Sequence, residues 1–253
     1  MKLDEFRGFE AYSGLRVPPG QPLFLRLNGR DFRRVSLRIG AEKPFDLRLA
    51  RCLVSSARAV YDEGFNPTLV YLASDELNIL FIQAFPFGGR VEKLNSVMAG
   101  LVSSAASLCI RNTFGVEVPV SFDCRVVLPK SDKLVDYLAW RQLDAQRNHL
   151  NSYAYWTLRK LGKSPREASE ILKGMKAAEM RNMLLQHGID LEGTPLWQRR
   201  GILVYREARV KVSSGIPVVR RVLVENWNLP NFSSADGRTL LRRVLAGEIS
   251  RMD

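Results

Sequence analysis

The sequence predicts an α+β fold of the split βαβ, ferredoxin-like kind: a four-stranded antiparallel sheet with two helices on one face, followed by helical and β-hairpin additions. Two observations carry that prediction. Over residues 23–128 the periodicity changes in the order β-α-β-β-α-β. Within it, residues 67–83, PTLVYLASDELNILFIQ, set two apolar runs, 68–73 and 77–82, on either side of Ser74-Asp75-Glu76. That is the pattern of a buried hairpin with acids at its tip. In this topology the first strand lies beside the hairpin, so Asn28 and Asp75 meet at one edge of the sheet.

Taken in order, residues 1–22 are polar and turn-rich, and VPPGQP at 17–22 leads stiffly into a strand over 23–27. The strand ends in Asn28-Gly29-Arg30-Asp31-Phe32, where glycine lets the backbone turn and bring its carbonyls near an ion or a phosphate. Asn-Gly is also the commonest turn dipeptide and needs no ligand. Residues 33–42 read as an irregular basic loop. Lys43-Pro44 opens a helix with Leu47, Ala50, Leu53, Val54, Ala57 and Val60 at helical spacing, and Gly64 ends it. After the hairpin comes a loop over 85–90. A helix rich in small residues runs from Ser96 to about residue 111, and a strand covers 122–128. Ser131 and Asp132 can cap a long helix to about residue 161. Helices follow at 166–172 and 177–187, then a basic turn at 197–201 and a strand at 202–206. Residues 207–226 read as a hairpin turning near Ser213-Ser214-Gly215, and 236–246 as a last helix, with Trp227 and Phe232 anchoring the tail on its own core. The chain thus divides at about residue 130 into a core, 1–130, and an extension, 131–253, packed as one unit.

Of the 253 residues 46% are hydrophobic, enough for a substantial core. A net charge of +12 and a pI near 10 point to a polyanionic partner, nucleic acid before others, although an evenly charged basic surface gives the same totals. Cys52, Cys109 and Cys124 lie far apart without a CxxC pattern, so neither zinc nor a disulfide framework is implied, and a reducing cytoplasm is expected. The start, MKLDEFRGFE, carries acids where a signal peptide needs an apolar core, and no apolar run of roughly 18 residues is evident, so no membrane is expected as a partner. The long helix carries Tyr137, Trp140, Arg141, Gln142, Arg147, Asn148, His149, Tyr153 and Trp156. Such a mixture can offer stacking faces and phosphate donors to RNA, or its aromatic side can simply be buried. Asp75 and Glu76, between two apolar strands, must face water or hold a cation.

Seven blocks in this order resemble a known family: LRLNGRDF (25–32), EKPFD (42–46), LASDELNILF (72–81), GGRVEKLNS (88–96), FDCRVV (122–127), YLAWRQLDAQRN (137–148) and WQRRGI (197–202). Together they resemble the tRNA-histidine guanylyltransferases and their relatives, the 3′-to-5′ polymerases that repair tRNA 5′ ends. The resemblance implies a polymerase-palm catalytic core in 1–130, a tRNA-binding extension in 131–253, and two Mg²⁺ ions. It further implies ATP and GTP as substrates, tRNA as partner, and a homo-oligomer, dimer or tetramer. It assigns Asp75 and the carbonyl of Gly29 to the metals, with Glu76 supporting the same site. Because strand neighbours point to opposite faces, Asp75 is the better candidate of the two acids. Lys43, Ser74, Arg90, Lys93 and Ser96 match positions associated with triphosphate binding, together with Arg26, Gly29, Arg30, Asp31 and Phe32 of the first block. Without the resemblance, Lys43 reads as a solvated residue at a helix start and Arg90 and Lys93 as a solvated loop face. Arg125, Arg141, Gln142, Arg147, Asn148, Arg199 and Arg200 are the residues expected to contact tRNA.

Two departures stand out. Asn28 occupies a position where the family has an aspartate, so it offers one neutral oxygen and cannot bridge two cations. It reflects either a disabling substitution or a natural rearrangement. Gln146 lies in DAQRNHLNS where the histidine-tRNA enzymes resemble DCHINNLYN, which resembles the branch that restores missing 5′ nucleotides by copying the opposite strand. Template-dependent repair is therefore the expected activity. Addition of a single G to histidine tRNA, a catalytically silent tRNA-binding protein and a palm enzyme acting on free nucleotides are the alternatives.

Overall fold

A computed structural model of the chain describes residues 6–213 and 216–250. At its centre stands one sheet of strands β1 (Leu23–Gly29), β2 (Leu69–Ala73), β3 (Glu76–Phe81), β4 (Phe122–Val127), β5 (Ile202–Ser213) and β6 (Ile216–Asn226). They lie side by side in the order β4-β1-β3-β2-β5-β6, all antiparallel, with the short β7 (Ile249–Ser250) parallel to β5. The first four strands are the expected split βαβ sheet. The C-terminal hairpin is not a separate appendage, because β5 pairs with β2 and continues the same sheet. The expected turn at Ser214 and Gly215 lies outside the described residues.

The strand sequences are apolar on both sides because both faces are covered. Leu23, Leu25 and Leu27 alternate with Phe24 along β1 and, with Val70, Leu72, Leu77, Ile79 and Phe81, face α2 (Leu47–Asp62) and α3 (Val91–Phe114). Phe24, Leu69, Tyr71, Leu80, Leu203 and Tyr205 form a second core on the opposite face, under α4 (Leu134–Lys160) and α8 (Ala235–Ala246). Three further helices, α5 (Pro165–Leu172), α6 (Ala177–Gln186) and α7 (Leu196–Arg200), pack around the far end of α4. By length and apolar composition α3 could cross a membrane, against the sequence expectation. Here Leu94, Met98, Val102, Ala106 and Ile110, at helical spacing, are its buried stripe on the sheet.

Two local expectations are corrected. Residues 33–42 are not an irregular loop, since Phe32–Arg38 forms α1. Phe32, Val35 and Ser36 are its buried side while Arg34 and Arg38 point outward, so the basic residues hid a helical period of only two turns. The next helix does not open at Lys43-Pro44. It starts at Leu47, because the Asp46 carboxylate accepts hydrogen bonds from the N–H groups of Arg48 and Leu49 and caps it. The Arg48 guanidinium also binds that carboxylate, at 2.6 Å from Nη2. Against the effect of burial, these bonds hold the Asp46 carboxyl down to about 2.

The tail is anchored as expected. Phe232 is fully buried with its ring 5.4 Å from that of Tyr71, and Trp227 meets Trp197 edge-on at 6.1 Å.

Candidate active site

The hairpin tip is as tight as two strands allow. Ala73 pairs with Glu76, leaving Ser74 and Asp75 as the loop, with Ser74 in the left-handed region at φ 55°. The N–H of Gly29 donates to the Asp75 carbonyl at 3.0 Å, which fastens the tip to the end of β1. A Cβ on Gly29 would stand 2.1 Å from the Phe32 ring, so only glycine lets α1 fold back against the strand. Asn28, Gly29 and Asp75 are thereby gathered at one sheet edge. Burial pushes the Asp75 carboxyl above its ordinary range, opposed by a hydrogen bond at 3.1 Å from the Ser74 hydroxyl. The Asn28 Nδ2 is buried and has no hydrogen-bond partner among the described residues.

Glu76 has a different partner from the one expected. In the register of the strands it shares a face with Asn28 and Asp123. Arg141 of α4 donates from Nε at 2.7 Å to one of its oxygens and from Nη2 at 2.8 Å to the other. Asn78 adds a bond at 2.9 Å, and the Arg26 Nε lies 3.8 Å away. Both Glu76 oxygens are thus engaged by a fork-shaped cation, which leaves Asp75 the freer of the two acids. The same contacts bury two of the residues expected at RNA. Arg141 is buried between Glu76 and Asp144. Gln142 is buried too, accepting from the Phe232 N–H at 2.7 Å and donating to the carbonyls of Arg200 and Pro230. A polar helix position can equally be a buried lock.

What remains to hold a cation is the Asp75 carboxylate, the Gly29 carbonyl and the Asn28 Oδ1. This set suits one Mg²⁺, a hard ion that takes oxygen ligands and keeps several waters. Asp75 is the one carboxylate in this set, and no cluster of three or more acidic, His or Cys side chains exists among the described residues.

Beside Asp75 opens a cavity of about 530 Å³, between α1, the start of α2 and the C-terminal half of α4. Lys43 projects into it, its ammonium donating to the Ser36 hydroxyl and lying 5.4 Å from the Trp156 ring centroid. Burial lowers the pKa of Lys43. Arg33 donates to the Tyr155 hydroxyl, with its guanidinium 5.0 Å from the ring centroid. Phe45 and Trp197, ring centroids 6.1 Å apart, form another wall. The cavity therefore joins flat apolar surfaces to two cations, Arg33 and Lys43, and three carboxylates, Glu42, Asp46 and Asp75. Of these, Asp46 is taken up by Arg48, outside the cavity lining. Such an arrangement can meet a nucleobase carrying a phosphate chain and its cation.

Of the residues expected at the phosphates, Phe32, Lys43 and Ser74 line this cavity with Asp75. Arg30 and Asp31 are exposed at the start of α1, and Arg26 lies on the face under α4. Arg90, Lys93 and Ser96 sit at the beginning of α3 and do not line the cavity. Among the residues expected at RNA, Asn148 lines it, whereas Arg125 and Arg147 are exposed and paired with Asp123 and Asp144. Arg199 pairs with Glu192, and Arg200 donates to the Leu229 carbonyl at 3.0 Å. Arg33, Ser36 and Tyr155 were missed, the first two because their segment read as a loop.

Comparison with known proteins identifies the family. The family profile described as tRNAHis guanylyltransferase matches residues 3–129, and that of the Thg1 C terminal domain matches 132–232. The tRNA(His) guanylyltransferase of Schizosaccharomyces pombe is 32% identical over 216 residues, covering 82% of this chain and 82% of that protein. That of Neurospora crassa is 32% identical, covering 74% and 67%. The matched part spans only 38% of tRNA(His) guanylyltransferase 2 of Arabidopsis thaliana. Among solved structures, a bacterial tRNA(HIS) guanylyltransferase (Thg1)-like protein in complex with ATP superposes with a TM-score of 0.76 at 23% identity, covering 96% of this chain and 98% of that one. The guanylyltransferase from Saccharomyces cerevisiae superposes at 0.70 and 23% identity, covering 87% and 96%. With both halves of the sequence matched in order, this chain belongs to the tRNA(His) guanylyltransferase family.

Proposed function

We propose that this protein adds nucleotides in the 3′-to-5′ direction to the 5′ end of tRNA, copying the opposite strand of the acceptor stem. The observation that carries the reading is the cavity in which Lys43, Arg33, Asp75 and a set of aromatic rings converge at the sheet edge. In the proposed reaction the 3′-hydroxyl of the incoming nucleotide attacks the activated 5′-phosphoryl of the RNA. A new phosphodiester forms, and pyrophosphate leaves from a 5′-triphosphate, or AMP from an end activated with ATP. Lys43 and Arg33 hold phosphate oxygens, the half-buried ammonium being partly shielded from water. Tyr155, Trp156 and Phe45 stack the base and fix the nucleoside, which places the attacking hydroxyl. One Mg²⁺ on Asp75, Gly29 and Asn28 would supply charge neutralisation for the phosphates. Gln146, in place of the histidine of the histidine-tRNA enzymes, supports templated repair over dedicated G addition.

Residues 1–130 serve here as the catalytic core and 131–253 as the RNA-binding extension. The exposed Val218, Val219 and Val222 of β6 support a dimer or tetramer. The test is Asp75→Asn: the variant should lose nucleotide incorporation while retaining tRNA on a filter, and unchanged incorporation would reject the site. A second reading, a tRNA-binding protein without turnover, is favoured by Asn28 alone.

A further inference from the structure

A second, smaller cavity of about 190 Å³ opens where α4, α6, α7 and the segment before α8 meet. Its polar walls are Gln146, Arg181, Glu192, Arg199, Arg200 and Asn231, three guanidinium groups against one carboxylate. The acid does not exhaust the donors. Glu192 accepts from Arg199 Nη1 through its side chain and from Nη2, at 3.2 Å, through its carbonyl. The Arg199 Nε is buried and has no partner among the described residues, although the side chain is only 14% exposed. The Asn231 Oδ1 is engaged by the Ser233 N–H at 3.0 Å, which leaves its amide hydrogens to donate. His149, also at the wall, shares a bond of 3.0 Å with the Thr194 hydroxyl. Burial, followed by the charge of Arg199, lowers its pKa to about 4, so the ring is neutral and does not compete for an anion.

A cavity open on its Arg181 side, in which donors and positive charge outnumber acceptors, suits a tetrahedral oxyanion, since the buried, unpaired Arg199 Nε is otherwise an uncompensated loss. We propose that this cavity is an anion site, separate from the nucleotide cavity, that takes a phosphate group: a phosphodiester of an RNA strand, or free phosphate or pyrophosphate. Its position gives it a use. Trp197 and Gln198 of α7 line the nucleotide cavity, and Arg199 and Arg200, the next two residues, line this one. A backbone phosphate seated here would hold an RNA strand against α7, the helix that also lines the nucleotide cavity. That use rests on the nucleotide-addition reading; binding of the anion does not.

The test compares the native chain with Arg181→Gln and Arg199→Gln. Inorganic phosphate and pyrophosphate are titrated by equilibrium dialysis, tRNA by filter binding over a salt series, and ATP by dialysis as a control. If an RNA phosphodiester is the ligand, both variants bind tRNA at least fivefold more weakly, the salt slope falls by about one, and ATP binding is unchanged. If free phosphate or pyrophosphate is the ligand, those anions lose at least fivefold in affinity and tRNA does not. Either result supports the site. Unchanged affinity for all three anions in both variants overturns it. Arg181 is exposed, so its variant carries the test should Arg199→Gln fail to fold.

Discussion

Glu76 and Asn28 occupy facing positions on neighbouring strands, yet the two have opposite fates. Glu76 is neutralised by Arg141 with side-chain exposures of 12% and 8%, so removing one partner leaves a buried charge alone. Arg141→Met is expected to destabilise the fold by about 3–5 kcal/mol in denaturant titration, and the Glu76→Gln, Arg141→Met double variant by less than the two single changes summed. A surface-type loss below roughly 1 kcal/mol would mean that the pair is solvated. Asn28 leaves the site with one free carboxylate. Native protein should therefore bind one Mn²⁺ per chain by electron paramagnetic resonance, and Asn28→Asp two. Two ions on the native chain would contradict the donor count. The place of Asp75 at a hairpin tip was legible in the sequence from the two apolar runs on either side of it, while its ligand role came only from the resemblance. The role of Glu76 was not legible, because its partner lies 65 residues away on another element.

At the scale of elements, legibility followed length. The hairpin, α2, α3 and α4 each carry enough turns or alternations for their period to stand out. α1 does not, with seven residues and three arginines. Its placement depends instead on Gly29, whose missing side chain is the space the Phe32 ring fills. Gly29→Ala should destabilise by roughly 1–3 kcal/mol through overpacking and, by shifting α1, weaken nucleotide binding. Stability and binding both within error of the native chain would show that the ring relocates freely. The start of α2 was misplaced because Pro44 signals a first helical turn, whereas the cap with actual hydrogen bonds is Asp46.

Across the whole molecule, the sheet is covered on both faces and the extension supplies one of the covers, so the fold should unfold as one unit. His149 makes that stability pH-dependent. Its ring packs on Tyr153 at 4.8 Å and Phe45 at 5.7 Å, and its pKa falls from 6.5 to about 4. Between those values the unfolded chain takes up a proton that the folded chain refuses, so stability falls as pH drops from about 6.5 towards 4. The denaturation midpoint should be lower at pH 5 than at pH 7, and the difference should shrink in His149→Gln. An equal difference in the variant would assign the effect elsewhere. The net charge of +12 was the sequence's plainest pointer to a nucleic acid, but it could not say which arginines remain free. Folding spends Arg141 in the core and leaves Arg33 with Lys43 at the cavity. The most direct test uses a tRNA lacking its first 5′ nucleotide, incubated with the four nucleoside triphosphates and Mg²⁺. The native chain is compared with Asn28→Asp at single-nucleotide gel resolution. Extension that copies the opposite strand, slower with the native chain than with the variant, is the predicted result. If neither chain extends the tRNA although both retain it, the assignment as a nucleotidyltransferase is contradicted.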